Sequence, residues 1–431
     1  MTAVADHPPG ADPGAGDTDD LALIRAAIGR LAGSCRTPGP PRPVGPDGRA
    51  TLIDEIVEIE TLKACLEAVQ AERTLAFARA EAAHQIDRGL TEPEKIERSI
   101  AGQLSPACRV SVTEARTRVR TARDLHLGLD HLHGLFCAGE MNAHKVSIIV
   151  AETAHLDAAE RAEVDRLLAA DGIEGRGAGK LRGLARKLAA QVAPGKFRAR
   201  CAAARTGRRV TLRLGTDGMT DLTAHLPAEQ GAACYAALQK AFNQISVNPA
   251  PLTRSRGQVM ADTLVERLTG QATTDDTNID VQVVVPIEAL LDPTTPLPAQ
   301  IPGLGPIPTE VITSNTGRKT WRRLLTRHGT VIGGDSRRRK FSGPLADLIR
   351  ARDHWRCSEP YCDAPVRETD HIRRAADGGT TTFDQGRSTC QFHNQLREQP
   401  GWRVERVPDG ILTTTPTGHG YLYRIPSAGP G

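Results

Sequence analysis

Four residues in the last fifth of the chain have the types and spacing of a metal knuckle. Cys357 and Cys362 form one short pair, Cys390 and His393 form another, and 27 residues separate Cys362 from Cys390. Three thiolates and one imidazole are soft-to-borderline donors, the set that favours zinc in a closed tetrahedral shell. So small a segment has little core, and an ion bound only by the folded chain adds its binding energy to folding. The expected structural cofactor is therefore Zn²⁺ on Cys357, Cys362, Cys390 and His393.

Asp370 and His371 lie between the two pairs, followed by Gly378-Gly379 and by a helix expected to begin near Thr382 or Phe383 and to hold Asn394. Residues 356–402 resemble the HNH endonuclease family, whose ββα-metal fold carries an Asp-His pair ending a strand, a Gly-Gly turn, a central Asn and a final Asn or His on a helix. Zinc-bearing members add flanking cysteine pairs. The resemblance implies that His371 is a general base, since a neutral imidazole is poised near pH 7 to take a proton from water. It implies that Asp370 and Asn394 hold one Mg²⁺ or Mn²⁺ ion through oxygen. It further implies that Arg373, Arg374 and Arg397 clamp phosphate through their guanidinium forks. Three positions depart from the pattern. Gln385 stands where the family has the Asn that braces the loop carrying the base, Arg374 stands where a Pro is common, and His393 stands where relatives often have Cys.

The activity so implied is metal-dependent hydrolysis of phosphodiester bonds in DNA, with RNA not excluded. One such site cuts one strand, so double-strand cleavage needs a homodimer. The alternative, favoured by Gln385, is a DNA-binding protein that keeps the HNH shape without nuclease activity. A third reading is a zinc-stapled adaptor for protein. On the nuclease reading, Asp370→Ala removes cleavage with the fold intact, whereas Cys357→Ser releases zinc and destabilises.

The elements that position these residues follow from periodicity. Apolar residues at three- and four-residue steps (Leu52, Ile56, Ile59, Leu62, Leu66, Val69) predict a long helix over 51–88. Ser111 to Glu114 is a capping-box signature. A short helix before it (100–107) and one after it (112–125, with Arg116, Arg118, Arg120 and Arg123) have the form of a helix-turn-helix or of an ordinary helical hairpin. Helices are expected at 143–153, 158–170 and 178–192. The nearby His126, His131 and His133 read as surface histidines, because no further ligands are evident beside them. Alternation around a glycine turn predicts a hairpin over 209–226, with helices to Phe242 and over 258–268 and a strand at 279–286.

Residues 52–290 resemble the helical region of unknown function that precedes HNH domains in the actinobacterial thirteen-E-twelve repeat family. The matching residues are Ala143-His-Lys-Val146, Arg208-Arg-Val210, Asp217-Gly-Met219, Leu226-Pro-Ala-Glu-Gln230 and 258–268, with Gly401 to Gly418 at the tail. The expected fold class is α+β: a large, mainly helical N-terminal domain with a β-hairpin insertion, and a small C-terminal ββα-metal zinc domain. The expected order is a disordered leader (1–48), the helical domain (49–290), a Pro/Gly-rich then basic linker (291–344), the HNH domain (345–406), and a hairpin and tail (407–431).

Charge bears on partners locally. The chain carries only +4 overall, yet residues 316–374 hold 15 Lys or Arg against 7 Asp or Glu. The block Arg337, Arg338, Arg339 and Lys340 within that stretch is a candidate phosphate contact. No run of about 18 apolar residues predicts a membrane span. The first twenty residues lack the pattern of a signal peptide, and nine cysteines, an odd and dispersed set, do not suggest disulfides. The expected location is cytoplasmic, and the six scattered cysteines read as small buried hydrophobes.

Overall fold

Alanine and leucine at helical spacing dominate the first part of the chain, and helices form there. The computed structural model describes residues 15–33, 46–215, 219–246, 254–270, 297–301, 305–308, 326–327, 330–331 and 340–425. The chain divides into two compact units, 1–60 and 61–431. In the first lies α1 (Ala15–Gly33), a helix within the stretch expected to be a disordered leader. The remainder of that leader up to residue 45 lies outside the described residues. Helix α2 (Pro46–Asp87) runs from the first unit into the second. The apolar side chains Leu52, Ile53, Ile56, Val57 and Ile59 along its start are exposed.

The second unit is built on a stack of short helices with explicit ends. Helix α3 (Pro93–Cys108) starts on Pro93, whose missing N–H costs nothing there. It stops at Arg109, which is left-handed (φ 57°). Ser111 then caps α4 (Val112–Leu125) by accepting from the Glu114 amide at 3.3 Å, while the Glu114 carboxylate pairs with Arg118. Helix α5 (Asp130–Cys137) begins after Leu129, which has no side-chain acceptor. Asp165 of α7 (Ala158–Asp171) supplies it, accepting from the amides of His131 at 2.7 Å and Leu132 at 3.2 Å. Asn142 caps α6 (Ala143–Thr153), and α8 (Ala178–Val192) and α9 (Pro194–Ala204) complete the stack. Sequence periodicity did not anticipate α5 and α9. Helix α9 buries no residue, so it has no apolar stripe to read.

The core of this stack is Leu125, Leu129, Leu132, Phe136, Met141, Ile149, Leu168, Ile173 and Leu181, each almost wholly buried. At about 25 cal/mol per Å² of apolar area, such side chains stabilise by roughly 2 kcal/mol each. A smaller cluster of Ala78, Ile100 and Val119 ties α2, α3 and α4 together. After α9, β1 (Arg209–Leu214) and β2 (Thr220–His225) form the expected antiparallel hairpin, with Val210, Leu212 and Leu222 exposed. Helices α10 (Ala228–Ser246) and α11 (Arg256–Thr269) follow. The expected strand at 279–286 lies outside the described residues. Within the expected linker, β3 (Ala299–Ile301) pairs with β4 (Gly305–Ile307), and β5 (Thr326–Arg327) with β6 (Thr330–Val331).

The C-terminal part starts with α12 (Gly343–Arg352). Strands β7 (Glu368–His371) and β8 (Gly386–Thr389) pair antiparallel, with Asp370 opposite Arg387 and His371 opposite Gly386. Helix α13 (Gln391–Leu396) follows directly. The helix expected from Thr382 is thus a correction: a short 3-10 turn at 383–385 leads into a strand, and helix begins only at Gln391. The cause is tertiary. β8 is buried at all four positions and is held by β7 on one edge. The expected terminal hairpin is a three-stranded meander, β9 (Arg403–Val407), β10 (Gly410–Thr414) and β11 (Gly420–Tyr423), with β10 central.

Two expectations about scattered residues are corrected. Cys137, Cys201 and Cys234 are exposed and Cys65 and Cys108 half-buried, so none of these five is a core residue; Cys35 lies outside the described residues. The surface reading holds for His126, which is exposed, whereas His131 and His133 are half-buried. The His131 side chain has a buried Nε2, while His126 and His133 converge on Glu72 of α2.

Candidate metal centre and active site

The knuckle residues come from three places. Cys357 and Cys362 flank a turn after α12, and Cys390 is the residue at which β8 ends and α13 begins. His393 sits on the first turn of α13. The donor atoms of all four lie within 4.8 Å of one another. Cys362 Sγ is 3.9 Å from Cys390 Sγ, and His393 Nδ1 is 3.5 Å from Cys357 Sγ and 3.3 Å from Cys390 Sγ. A tetrahedron with metal–sulfur bonds of about 2.3 Å and a metal–nitrogen bond of about 2.05 Å has S–S edges of about 3.8 Å and S–N edges of about 3.6 Å. The cluster has these dimensions, and it could hold a metal ion.

The electrostatics of the bare donors also call for a cation. Hydrogen bonds with Cys357 and Cys362 hold the Cys390 thiol far below the ordinary thiol range. Bonding to Cys362 and Cys390 pushes the Cys357 thiol up. Burial works to lower His393, but its bonds to Cys362 and Cys390 win and push it up to about 10. A divalent ion bound by such donors displaces the protons they carry.

A buried charge network joins this centre to the strand pair. Glu359, inside the first cysteine pair, is paired with Arg387 of β8 and accepts from Thr413 Oγ1 of β10 at 2.8 Å. Burial raises the Glu359 carboxyl, but the charges of Arg387 and then His393 outweigh it and hold it below the usual range. Arg387 is wholly buried, and its Nη2 lies 3.7 Å from Asp370 Oδ2. Arg352 and Asp353, at the end of α12, clamp the same strand. Arg352 donates to the Gly386 carbonyl at 2.8 Å, and Asp353 accepts from the Ser388 amide at 2.9 Å. Breaking a buried pair of this kind costs about 3–5 kcal/mol, because the remaining charge is stranded.

His371 ends β7 with its ring buried against Phe341, the ring centroids 4.4 Å apart. Its Nε2 is 3.0 Å from Thr381 Oγ1. Asp370 Oδ1 accepts from the His371 amide at 2.8 Å, and Asp370 Oδ2 is bonded to the Arg397 guanidinium. Asn394 donates from Nδ2 to Glu368 Oε2 at 2.6 Å. The next turn of chain is braced through backbone: the Ile372 amide donates to the Gln385 carbonyl at 2.8 Å. Gly379 permits the tight return, since a Cβ there would stand 1.9 Å from the Arg373 carbonyl oxygen.

The arginines separate by place. Arg373 is exposed. Arg374 is exposed too; it donates to the Arg397 carbonyl at 2.6 Å and faces Glu398. Arg397 is a correction to the clamp assignment. It is buried, and its guanidinium is spent on Asp370 and on the carbonyls of His371 and Ile372. Burial and the nearby charge of Arg387 lower its pKa. Lys340 is exposed, and Arg337, Arg338 and Arg339 lie outside the described residues.

Sequence reasoning missed Glu359, Arg387, Thr381 and the Arg352–Asp353 pair. No local signal marks them, because a charged residue in a short polar strand reads as surface. It also missed that α13 docks on α3. A Cβ at Gly102 would sit 2.6 Å from Leu396 and 3.2 Å from Trp402, and Gln399 Nε2 donates to the Lys95 carbonyl at 3.0 Å. Arg116 of α4 lies 4.9 Å over the Phe392 ring. The arginine-bearing helix of the helix-turn-helix-like pair is thus partly committed to packing.

Fold and site together define a mainly helical α+β protein with small antiparallel sheets and a buried cysteine–histidine centre. Residues 62–353 match the family model described as a domain of unknown function (DUF222). The chain belongs to that family, and the match ends at Asp353, before the first ligand cysteine. No curated protein matches the chain, and no solved structure matches it. No helix among the described residues is long and apolar enough to cross a membrane.

Proposed function

We propose that the chain is a zinc-stabilised, metal-dependent endonuclease of the HNH type that hydrolyses phosphodiester bonds in DNA. The observation that carries this reading is the succession β7–β8–α13: it sets His371 beside Asp370 at the end of one strand and Asn394 on the following helix, directly against the cysteine–histidine centre. The centre takes Zn²⁺, because three thiolates and an imidazole form a closed, soft shell without an open position for chemistry.

His371 acts as the base. Thr381 Oγ1, 3.0 Å from Nε2, orients the imidazole that takes the proton from water. Packing on Phe341 and burial hold the ring in place. A divalent ion such as Mg²⁺, when bound, supplies positive charge for the pentavalent phosphorus and the leaving oxygen. Asp370 and Asn394 would hold it, Asp370 once Arg397 releases Oδ2 and Asn394 through its amide oxygen, since its amide nitrogen is the atom bonded to Glu368. Arg373 and Arg374, both exposed, engage backbone phosphate.

The second reading is a DNA-binding module with the same shape and no nuclease activity. The specific observation in its favour is Arg397 already bonded to Asp370, a cation in the place an ion would occupy. Plasmid cleavage with Mg²⁺ or Mn²⁺ against EDTA, comparing wild type with His371→Ala, separates the two. Nicking by wild type alone supports the nuclease; salt-sensitive binding without nicking, retained in His371→Ala, supports the module.

A further inference from the structure

Far from the cysteine–histidine centre in sequence, three helices bring a second set of metal-ligating side chains to one point. Glu72 of α2, His126 at the end of α4 and His133 of α5 place their ligand atoms within 4.8 Å of one another. One carboxylate oxygen, Glu72 Oε1, lies 2.7 Å from His126 Nε2 and 2.9 Å from His133 Nε2. The two rings are 4.8 Å apart and tilted by 55°. All three side chains are part-exposed, so solvent reaches the point where they meet.

The scaffold holds the two imidazoles firmly. Leu125, Leu129 and Leu132, which alternate with them along the chain, are almost fully buried. Gly128 between them has φ +84°, and a Cβ there would stand 2.3 Å from the Ala158 carbonyl oxygen, so the loop is pinned against α7. A thiol sits at the margin. Cys137, one helical turn after His133, has its Sγ 3.5 Å from His133 Nε2, and Cys65 Sγ donates to the Cys137 carbonyl at 3.3 Å.

We infer that Glu72, His126 and His133 form a second binding site for a divalent transition-metal ion of the zinc class, distinct from the cysteine–histidine centre. Two borderline imidazole nitrogens with one carboxylate oxygen form a set that Zn²⁺, Co²⁺ or Ni²⁺ takes and that Mg²⁺ or Ca²⁺, which want oxygen throughout, do not. Three protein ligands leave a fourth position for water or for Cys137 Sγ, the composition of an accessible rather than a closed site. Metal binding displaces the protons the imidazoles share with Glu72 and fastens α2 to the α4–α5 corner.

The test is metal content per chain. Full-length protein is stripped with chelator, dialysed against micromolar zinc and assayed by elemental analysis, for wild type, His126→Ala, His133→Ala, Glu72→Gln and Cys357→Ser. The expected result is two zinc ions in wild type and one in each variant, with circular dichroism showing that the helices persist. Glu72→Gln is the conservative check, since it keeps the shape and an acceptor oxygen while removing the charge. If wild type binds one ion and loses it in His126→Ala, this site stands and the cysteine–histidine zinc falls. Unchanged zinc content in His126→Ala, His133→Ala and Glu72→Gln overturns the inference and leaves the three groups as a hydrogen-bonded cluster only.

Discussion

The guanidinium of Arg397 binds the Asp370 carboxylate and, with the same fork, the carbonyl oxygens of His371 and Ile372. One side chain from the end of α13 therefore fixes the residue pair that ends β7. Arg397→Met removes a buried charge from this cluster and leaves Asp370 to Arg387 alone. The expected cost is about 3 kcal/mol, read as a lower urea midpoint with unchanged slope. A midpoint equal to that of wild type would show that the fork is not a structural brace.

The same contact changes what Asp370 substitutions can show. Asp370→Ala strands the Arg397 charge inside the fold while Arg387 keeps Glu359, so it is expected to lower stability as well as activity, contrary to the fold-neutral outcome the sequence suggests. Asp370→Asn keeps an acceptor for Arg397 while weakening a hard-ion ligand. Asp370→Asn is expected to melt within a few degrees of wild type and Asp370→Ala clearly earlier; equal melting of the two variants argues against the stranded-charge explanation.

Cys357→Ser removes one of four donors from the closed centre. If the centre holds zinc as proposed, the ion's binding energy is part of folding, and the variant is expected to release metal and to melt on the order of 10 °C earlier. The melting temperature of wild type should fall similarly under a strong chelator, and chelator should have little further effect on the variant. A Cys357→Ser protein that melts with wild type would remove the structural role.

Docking of the C-terminal part on α3 rests on a glycine. Gly102→Val would thrust methyl groups into Leu396 and Trp402, against a contact already at the limit for a Cβ. The variant is expected to expose the α12–α13 region to limited proteolysis while the fragment carrying α4 to α8 stays resistant. A digestion pattern identical to that of wild type would mean the contact does not hold the two parts together.

His155 carries a pH dependence with a definite sign. Burial and then the charge of Arg200 lower its pKa below the usual 6.5. Arg200 Nη1 donates to His155 Nδ1 at 3.2 Å, so that nitrogen must be unprotonated. The unfolded chain takes up the proton near its ordinary pKa and the folded one only at lower pH. Stability from this group is thus present above about pH 6.5 and is lost as the pH falls through the unfolded value. His155→Gln is expected to flatten the difference in melting temperature between pH 7.5 and pH 5.5, and an unaltered difference contradicts the assignment.

Much of this was legible in the sequence where local rules govern. The helices α4, α6 and α8, and the β1–β2 hairpin, carry caps, periodicity or turn residues that act within a few positions, and their bounds were readable. The knuckle was readable because cysteines and a histidine at short spacing leave few other uses. Contacts set by the tertiary fold were not readable: β8 lost its expected helix to pairing with β7, Arg397 turned inward, and Glu72 met His126 and His133 from 54 and 61 residues away. No local pattern encodes which buried arginine will find which carboxylate.

The central claim is that His371 takes a proton from water in a metal-dependent cut of DNA. Its most direct measurement is the nicking of supercoiled plasmid by full-length protein in Mg²⁺ or Mn²⁺, with EDTA and His371→Ala as controls and Thr381→Val alongside. Wild type is expected to nick in a metal-dependent way, with a loss of at least about 100-fold in His371→Ala. Thr381→Val should give a smaller loss, with zinc content unchanged in both variants. Zinc-loaded wild type that binds the plasmid but leaves it uncut in either metal, or that cuts as fast with His371→Ala, would contradict it.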